Sequence, residues 1–449
     1  MAHRIVIAGG GFGGLYAALT LERVLPPHAA RVTLVNDTNF MLYTPLLPGA
    51  AGGSLEPRHV VVPLREMLRA TEVRNAVVIG AHPSVGTLAV RSPDGREEGL
   101  PYDQLIVALG STSRTLPIPG LAEHAIGFKT LAEAIALRNR VIECLERAEA
   151  LDDPPERTAE LTFVFVGGGY AGLEGLAELQ DFAAAVLDLY PRCRQHGMRW
   201  LLVEKGPRVM TEVSPSLASF TARQLSGRGI EIRTQTTVER LEGHAVTLSD
   251  GERVPTRTLA WTAGVRPVPA IARLGLPLAD GGRIQTDREL RVAGHDGVWA
   301  IGDAAAVPDP ARRGHPCPPT AQHAVRQGRL AARNVEATLG GGGRVRRFRY
   351  RTLGVFVDLG RHQAVAETLG VRWRGFPAWF LARTYHMLLM PGAARRLRLV
   401  VDWTVDLLFS RESAEVGQIG HPQQLDGGPV ASEGSSDDRR AASGTTDPA

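Results

Sequence analysis

The 449-residue sequence is poor in cysteine and in long apolar runs. Cys144, Cys193 and Cys317 are too few and too scattered for a disulfide scaffold, and no Cys-x-x-Cys motif occurs. This usage is typical of a reducing compartment. No apolar run approaches the ~20 residues of a membrane-spanning helix, and a strand pattern starts at Arg4, which leaves no room for a signal peptide. We therefore expect a location in the cytoplasm or on the cytoplasmic face of a membrane.

Lysine is also scarce, since Lys129 and Lys205 are the chain's two lysines and nearly all of the 51 basic residues are arginines. Against 47 acidic residues the net charge is only +4, which indicates no nucleic-acid partner by itself. With 44% hydrophobic and 22% charged residues, the chain has the composition of a globular protein. Its length suggests about three units of ~150 residues. No metal site is predicted.

Two apolar runs, residues 4–8 and 161–166, each lead into a glycine-rich turn and then a helical pattern. This order is typical of the dinucleotide-binding βαβ unit, in which the glycines allow a tight turn, close approach of a pyrophosphate and helix–strand packing. The N-terminus of the helix then faces the phosphates. Because the unit occurs twice, we expect two dinucleotide sites. Their predicted glycine contacts are Gly9, Gly11, Gly13 and Gly14 in the first turn and Gly167, Gly169 and Gly172 in the second.

An acidic residue at the end of the next strand normally holds the ribose hydroxyls of the dinucleotide. The second copy has Glu204 there, which favours NADH because a carboxylate repels a 2′-phosphate, although Lys205 and Arg208 are near. The first copy has Asn36 followed by Asp37, so either residue is a candidate for the ribose contact. Two such sites need two dinucleotides, and flavin with nicotinamide is the natural pair, with NADH as hydride donor to FAD.

These motifs resemble the two-dinucleotide-domain flavoprotein superfamily, and more closely the type II NADH:quinone dehydrogenases, over roughly residues 4–412. Further motifs carry the resemblance, in residues 102–111, 258–264, 294–303 and 319–328. The first two resemble the family's crossover strands, the third its flavin ribityl motif and the fourth its quinone-side signature. The resemblance implies further cofactor contacts at Gly110, Gly264, Gly302, Asp303, Ala321 and Gln322.

Residues of the last two motifs also have plainer interpretations. Asp303 could merely cap the helix that follows, whereas the resemblance assigns it to a ribityl hydroxyl of FAD. Gln322 could be a surface residue of its helix, but in the family the equivalent Gln faces the quinone tunnel. Arg326 departs from the family, in which a second Gln is common, and could alter quinone affinity or favour another acceptor.

Glu174 follows Gly172 by two residues, within the expected first turn of the second glycine-rich helix. A carboxylate there would complement the helix dipole, worth about 0.3–1 kcal/mol. In the family, a Glu at this place lies near nicotinamide and flavin and couples substrate or proton transfer. We therefore name Glu174, Gln322 and Arg326 as the candidate catalytic residues.

The cysteines separate this chain from related flavoproteins. Dithiol reductases need a CxxxxC pair soon after the first glycine motif, and residues 36–60 contain no cysteine. Sulfide:quinone reductases use two widely spaced cysteines near the flavin, for which Cys193 and Cys317 are candidates, but the NADH site argues against sulfide as donor. Cys144 is expected to be a packed helical residue.

The C-terminal segment is rich in arginine and aromatic residues, with only Asp358 and Glu367 as acids in residues 344–398. Residues 376–390 and 395–409 read as two amphipathic helices. Such helices bind an anionic membrane surface, so residues 376–410 are the predicted membrane contact. Packing on the protein's own core and a dimer contact are the alternatives.

We therefore predict an α/β protein with two Rossmann-like domains, the NADH domain inserted in the FAD domain, and a C-terminal amphipathic helical segment. The function expected is a peripheral NADH:quinone oxidoreductase on the cytoplasmic face of the cell membrane, using FAD and a membrane quinone (ubiquinone or menaquinone), without proton pumping. Alternatives are an NAD(P)H:acceptor reductase such as a diaphorase, a sulfide:quinone reductase-like enzyme and a redox-regulated interaction module. The predicted boundaries are residues 1–112 and 265–343 for the FAD domain, 113–264 for the NADH domain, 344–412 for the membrane or homodimer segment and 413–449 for a disordered tail.

Overall fold

Two five-stranded parallel sheets form the framework of the protein in a computed structural model, which describes residues 2–340, 342–352 and 354–415. The first sheet has the spatial order Val298–Ala300, Gln104–Val107, His3–Ala8, Ala30–Asn36 and Glu72–Asn75. The second has the order Ile126–Gly127, Thr258–Trp261, Thr162–Val166, Arg199–Val203 and Ile230–Arg233. The second sheet's strands all lie between Gln104–Val107 and Val298–Ala300 in the chain, so one domain is inserted in the other. The predicted α/β class with nested Rossmann-like domains is confirmed.

The two domains repeat one another at the level of single hydrogen bonds. The Gly9 N–H donates to the Val35 carbonyl at 2.8 Å, and the Gly167 N–H donates to the Val203 carbonyl at 2.9 Å. Both glycines have positive φ, 105° and 113°, a region that side chains avoid. The same turn therefore joins strand to helix in each copy.

The helices cover the sheets and connect them to the C-terminal segment. The longer helices are Phe12–Val24, Leu131–Ala150, Tyr170–Val186, Pro215–Ser226, Ala321–Thr338, Phe376–Leu389 and Ala393–Leu408. Shorter ones are Leu47–Gly52, Leu64–Met67, Leu121–His124, Pro154–Glu160 and Pro191–His196. Leu131–Ala150 begins with a capping box, in which Thr130 and Glu133 satisfy each other's backbone N–H groups.

Antiparallel sheets complete the fold. Three-stranded sheets are formed by Val77–His82, Thr87–Arg91 and Glu97–Pro101, by Val238–Glu242, Ala245–Leu248 and Arg253–Pro255, and by Gly354–Asp358, Ala364–Thr368 and Val371–Gly375. Antiparallel strand pairs are Phe40–Leu42 with Val61–Pro63 and Ser111–Ser113 with Val265–Pro267, whereas Ile284–Gln285 pairs with Ala305–Ala306 in parallel. The predicted domain boundaries at residues 112 and 264 lie at the strand pair Ser111–Ser113 with Val265–Pro267, where the chain passes from one domain to the other. These boundaries stay predictions. The sheet of residues 354–375 was not predicted.

The C-terminal segment packs on both domains. Met390, Leu399 and Trp403 belong to the core around the first sheet, whereas Val357 and Val365 belong to the core around the second. Burial of these side chains fixes the two final helices against the rest of the protein. Within the described residues, no helix is long and apolar enough to cross a bilayer.

The chain divides into two units, Met1–Ser413 and Ala414–Ala449. Of the predicted tail, 413–449, residues 416–449 lie outside the described residues, so this part stays a prediction.

Candidate active site

One large cavity of about 1500 Å³ connects the inserted domain to the C-terminal helices. One end is bounded by Gly167–Gly169 and Glu204, and the other by residues 385–389 of the helix Phe376–Leu389. The N-terminal end of the helix Ala321–Thr338 lines the cavity between them. The cavity thus has room for more than one ligand.

The first glycine turn has the shape that a pyrophosphate needs. A Cβ on Gly14 would lie 1.8 Å from the Gly9 carbonyl oxygen, whereas a Cβ on Gly11 would meet nothing within 4 Å. Gly13 packs closely on Ile301. The helix Phe12–Val24 starts at Gly11 without a side-chain cap and without an acidic residue in its first turn. Its free N–H groups therefore suit a bound anion, and the turn fits FAD.

Asn36 is engaged by the protein itself. Its Oδ1 accepts a hydrogen bond from the Gly10 N–H at 2.7 Å, and its Nδ2 donates to the Thr38 carbonyl at 2.9 Å. Asp37 beside it is exposed. The ribose contact of either residue stays a prediction. Among the described residues, the Asp37 carboxylate makes no such hydrogen bond within the protein, so it is the one available to a ribose.

Glu204 has the equivalent position in the second turn, with a carboxylate in place of the amide. Its Oε2 accepts from the Gly168 N–H at 2.6 Å and its Oε1 accepts from the Gly206 N–H at 2.6 Å. The helix Tyr170–Val186 starts at Gly169 without a side-chain cap, as in the first copy. A second anion-binding turn is therefore present beside a fixed negative charge.

Arg208 is close to Glu204 in the sequence, but it forms no ion pair with the Glu204 carboxylate in the described chain. Its guanidinium donates to three backbone carbonyls of the loop that follows, those of Met210, Thr211 and Val213. Lys205 is exposed. The preference for NADH that Glu204 indicates stays a prediction.

Asp303 lies in a hydrogen-bonded chain with Ser111 and Lys129, which were not among the predicted site residues. The Ser111 Oγ donates to Asp303 Oδ2 at 2.6 Å, and Lys129 Nζ donates to Ser111 Oγ at 2.8 Å. Asp303 caps no helix, since its short turn, Gly302–Ala304, has no side-chain cap. The capping alternative is therefore wrong. Lys129 was detectable as one of two lysines, directly before the capping Thr130.

The other glycines of the crossover motifs lie in turns. Gly110, Gly264 and Gly302 have φ values of 73°, 92° and 66°, so each permits a bend that side chains disfavour. Gly264 lines the large cavity. The Gly302 N–H donates to Gln327 Oε1 at 2.7 Å, which ties this turn to the helix Ala321–Thr338.

Ala321, Gln322 and Arg326 line the large cavity, so Gln322 is not a solvent-facing surface residue. Gln322 Nε2 donates to the Gly354 carbonyl at 3.2 Å, and its Oε1 accepts from the Tyr350 hydroxyl at 2.5 Å. The Arg326 guanidinium lies 4.0 Å from the centre of the Tyr350 ring. Tyr350 therefore orients both candidate quinone-side residues, and the sequence contained no motif to reveal it.

Glu174 does not interact with the helix terminus. It is the fifth residue of Tyr170–Val186, which has no acidic residue in its first turn, so the dipole interpretation is wrong. Its Oε1 accepts from the Asp358 N–H at 3.0 Å. Burial raises the pKa of Glu174 to about 8, so this cavity-lining carboxyl group is largely protonated at neutral pH.

Aromatic side chains form the wall near the C-terminal helices. The His386 ring makes edge-to-face contacts with Tyr43, Phe356 and Tyr385 at centroid distances of 6.2, 6.3 and 5.3 Å. All four residues line the large cavity. None was selected from the sequence, because their contact depends on the unpredicted sheet of residues 354–375.

The three cysteines are buried and free, and none of them lines the large cavity. Burial raises the pKa of the Cys193 thiol to about 12 and that of Cys317 to about 11. Such thiols are poor nucleophiles. Cys144, with a pKa raised to about 11, is a packed residue of the helix Leu131–Ala150.

Comparison with known proteins agrees with this geometry. The family described as pyridine nucleotide-disulphide oxidoreductase matches residues 3–328. A type II NADH:quinone oxidoreductase, Ndh, of Mycobacterium tuberculosis is 30% identical over 428 residues, which cover 91% of this chain and 89% of that protein. The chain belongs to the type II NADH:quinone oxidoreductase family. It has the family's cofactors, FAD and NADH, but no redox-active cysteine pair among its three free cysteines.

Other relatives span similar lengths. The demethylphylloquinone reductase NdbB of a Synechocystis species is 31% identical over 411 residues, covering 89% of this chain and 95% of its own. A solved structure of NDH2 from Plasmodium falciparum in complex with NADH matches with a TM-score of 0.85, at 18% identity, over 92% of this chain and 100% of that one. The structural match supports the fold over 92% of the chain.

Proposed function

We propose that this protein oxidises NADH and reduces a membrane quinone, without translocating protons. The observation that carries the proposal is the large cavity of about 1500 Å³, which has a nucleotide turn at one end, an aromatic, apolar wall at the other and Gln322 between them. Such a cavity brings a polar donor and an apolar acceptor to one place.

The first glycine turn and Asp303 are the residues that would hold FAD. When bound, FAD would supply the redox chemistry between a hydride donor and a two-electron acceptor. The Asp303 side chain is oriented by the Ser111 hydroxyl at 2.6 Å, which leaves its other oxygen available for a ribityl hydroxyl. The N-terminus of the helix Ala321–Thr338 adds a positive electrostatic potential at the same cavity.

Glu174, Gln322 and Arg326 have distinct proposed roles. Glu174 is a carboxyl group on the cavity wall that can exchange a proton near neutral pH. The Gln322 amide, fixed by Tyr350 and the Gly354 carbonyl, orients the quinone. Arg326, stacked on Tyr350, supplies a positive charge close to a quinone oxygen.

The C-terminal helices provide access to a lipid-soluble acceptor. Their exposed faces carry large apolar side chains at Phe376, Phe380, Leu388, Leu389, Leu397, Val400, Val401, Val405, Leu407, Leu408 and Phe409. Arg396 and Arg398 are exposed on the same segment. An apolar face bordered by arginines suits the anionic cytoplasmic surface of the cell membrane. The proposal places residues 376–410 there and leaves room for a homodimer formed through the same segment.

Separate measurement of the two half-reactions tests this function. Anaerobic NADH should bleach the bound flavin rapidly, and a short-chain quinone analogue should restore its colour rapidly. Sulfide in place of NADH should bleach it slowly or not at all. Fast bleaching by NADH followed by slow reoxidation with every quinone, but fast reoxidation with a soluble electron carrier, would contradict the assignment of the acceptor.

A further inference from the structure

A second, much smaller cavity of about 30 Å³ lies beside the large one. Its polar lining residues include Glu174 and Glu178 of the helix Tyr170–Val186, Asp358 of the C-terminal sheet, and Arg383 and His386 of the helix Phe376–Leu389. Glu174 and His386 line both cavities. A polar cavity of this volume accommodates one or two water molecules.

Polar atoms around the small cavity lack hydrogen bonds within the protein. Among the described residues, Arg383 Nη1 and His386 Nδ1 are buried without any hydrogen bond. Glu178 Oε2 also lacks one, although Arg411 Nη2 lies 3.4 Å away. A buried polar group left without a partner costs about 1–3 kcal/mol. Glu178 Oε2 has the ion pair with Arg411, so two unpartnered atoms, Arg383 Nη1 and His386 Nδ1, remain on the lining residues of one cavity and indicate water within it.

Arg383 is held by aromatic rings and not by an ion pair. Its guanidinium lies 4.2 Å from the ring centre of Trp379 and 5.1 Å from that of Trp403, and no carboxylate lies within 4 Å of it in the described chain. Its Nη1, which has no hydrogen bond within the described chain, is therefore available to water in the cavity.

Glu178 is the acidic group deepest in this region, with only 2% of its surface exposed. Burial raises its pKa to about 7, although the positive charges of Arg411 and Arg383 oppose this shift. The carboxyl group can therefore release and regain a proton near neutral pH. Further charged groups that influence it or its ion-pair partner are Glu174, Asp181, Arg228, Asp358 and Asp406.

The reaction needs a proton on the quinone side. Oxidation of NADH supplies two electrons and one proton, whereas formation of a quinol takes two electrons and two protons. One proton per turnover must therefore come from solvent. The quinone end of the cavity is bordered by apolar and aromatic side chains, so a specific residue has to deliver it.

We propose that His386 donates this proton to a quinone carbonyl oxygen and that water in the small cavity restores it from Glu178; this relay rests on the proposed function. As the quinol O–H bond forms, the N–H bond of His386 on the large-cavity side breaks, and in the same concerted transfer Nδ1 takes a proton from the ordered water, which takes one from the Glu178 carboxyl group. Glu178 regains a proton from solvent, and a half-turn rotation of the imidazole ring returns an N–H to the large-cavity side before the next turnover. Burial lowers the pKa of His386 to about 4, so the ring is neutral and has the one donor and one acceptor that a relay requires.

Rapid kinetics on the FAD-loaded protein tests the relay. His386→Phe keeps the ring and its aromatic contacts but removes both nitrogens, and His244→Phe on the surface is the matched control. Flavin reduction by NADH and turnover with ferricyanide, which takes no proton, should stay unchanged. Reoxidation by a short-chain quinone should slow by about 10²–10⁴-fold, the usual contribution of a positioned proton donor, with no change in KM for the quinone.

Two further variants act on the cavity and keep His386. Ala382→Val fills the small cavity, since Ala382 is one of its lining residues, and should slow only quinone reoxidation. Glu178→Gln should do the same and should abolish the fall in this rate that the wild type shows as the pH rises through about 7. Only variants that bind FAD and melt at the wild-type temperature are compared. Because three different variants test the relay, it can be tested even if one of them fails to fold.

The outcomes separate the relay from the proposed function. A wild type that no quinone reoxidises contradicts the proposed function itself. A fast wild type with equally fast variants contradicts only the relay. Equal slowing with quinone and ferricyanide, or a rise in KM without a change in kcat, shows that His386 serves packing or quinone binding and likewise contradicts the relay.

Discussion

At the scale of single residues, the two nucleotide sites differ in charge but share a hydrogen bond. Asn36 Oδ1 accepts from the Gly10 N–H at 2.7 Å, and Glu204 Oε2 accepts from the Gly168 N–H at 2.6 Å. In both copies a side-chain oxygen at the end of the second strand fixes the glycine turn. The second copy adds a full negative charge where the ribose of NADH is predicted to bind, so we expect discrimination between NADH and NADPH to depend on Glu204.

Glu204→Gln should weaken that discrimination, because the amide can still accept from the Gly168 N–H but no longer repels a 2′-phosphate. Since a like-charge contact costs several kcal/mol, the ratio of kcat/KM for NADPH to that for NADH should rise at least about tenfold. Steady-state kinetics with both nucleotides measures this ratio. Glu239→Gln, an exposed glutamate of the same domain, is the control. An unchanged ratio in Glu204→Gln would show that another residue selects the nucleotide.

Tyr350→Phe tests the quinone-side cluster. The substitution removes the 2.5 Å hydrogen bond to Gln322 but keeps the ring under Arg326. A hydrogen bond of this kind contributes about 1 kcal/mol, so the KM for quinone should rise about fivefold. The rate of flavin reduction by NADH, measured by stopped flow, should not change, and a lower rate would place Tyr350 in the NADH half-reaction instead.

At the scale of elements, the C-terminal segment combines a buried and an exposed role. Leu399 and Trp403 of the last helix pack into the core of the first domain, while Leu397, Val401 and Val405 remain about half exposed or more. Because an α-helix repeats every 3.6 residues, these two sets of side chains lie on different faces of the helix. The exposed set can therefore be changed without loss of the core contacts.

The double variant Leu397→Glu with Val401→Glu should detach the protein from membranes. Each apolar side chain that leaves water contributes roughly 1.5–3 kcal/mol, so binding to vesicles with anionic lipid should fall at least about tenfold. Sedimentation with such vesicles measures this, and turnover with NADH and ferricyanide should persist. Val85→Glu, which changes an exposed valine of the first domain, is the control. Full vesicle binding by the double variant would mean that another surface makes the contact.

At the scale of the whole molecule, a buried ionic cluster connects the inserted domain to the end of the last helix. Arg411 lies 3.4 Å from Glu178, 3.1 Å from Asp181 and 3.2 Å from Asp406. Its side chain is only 11% exposed. Removal of one partner from such a cluster is costly because charge is left buried, so the protonation of Glu178 influences the stability of the whole fold.

The free energy of unfolding should therefore fall as the pH rises from about 6.5 to above 8. Burial raises the pKa values of Glu174 to about 8 and of Glu178 to about 7, so in this range the folded state binds more protons than the unfolded state, and stability is lost as the pH passes the folded values. Each pKa unit corresponds to about 1.4 kcal/mol. Burial lowers the pKa of His386, so this residue affects the pH dependence of the unfolding free energy below pH 6.5 instead.

Calorimetry across this range measures the effect. The melting temperature of the wild type should decline with rising pH, whereas Glu178→Gln should decline less because its amide does not ionise. Glu239→Gln should match the wild type. A wild-type melting temperature that rises between pH 7 and pH 8.5 would contradict the raised pKa values of both glutamates.

The family, the nested nucleotide domains and the two turns followed from the sequence alone, because they depend on local order: a strand, glycines at fixed spacing and a helix. The same holds for Glu204 and for the absence of a dithiol pair. Glycine spacing encodes backbone shape directly, since positive φ at Gly9 and Gly167 excludes most other residues.

The tertiary structure alone decided how distant segments meet at the site. Tyr350 and His386 belong to no motif. Glu174 was expected in the first turn of its helix, but the helix begins at Tyr170 and its first turn does not include Glu174. Their roles depend on the sheet of residues 354–375, which brings the C-terminal helices against the inserted domain. Contacts between residues far apart in the chain are set by packing of whole elements, and no local spacing records them. The small cavity between Glu178 and His386 is of this kind, because its lining residues come from several elements that are far apart in the chain.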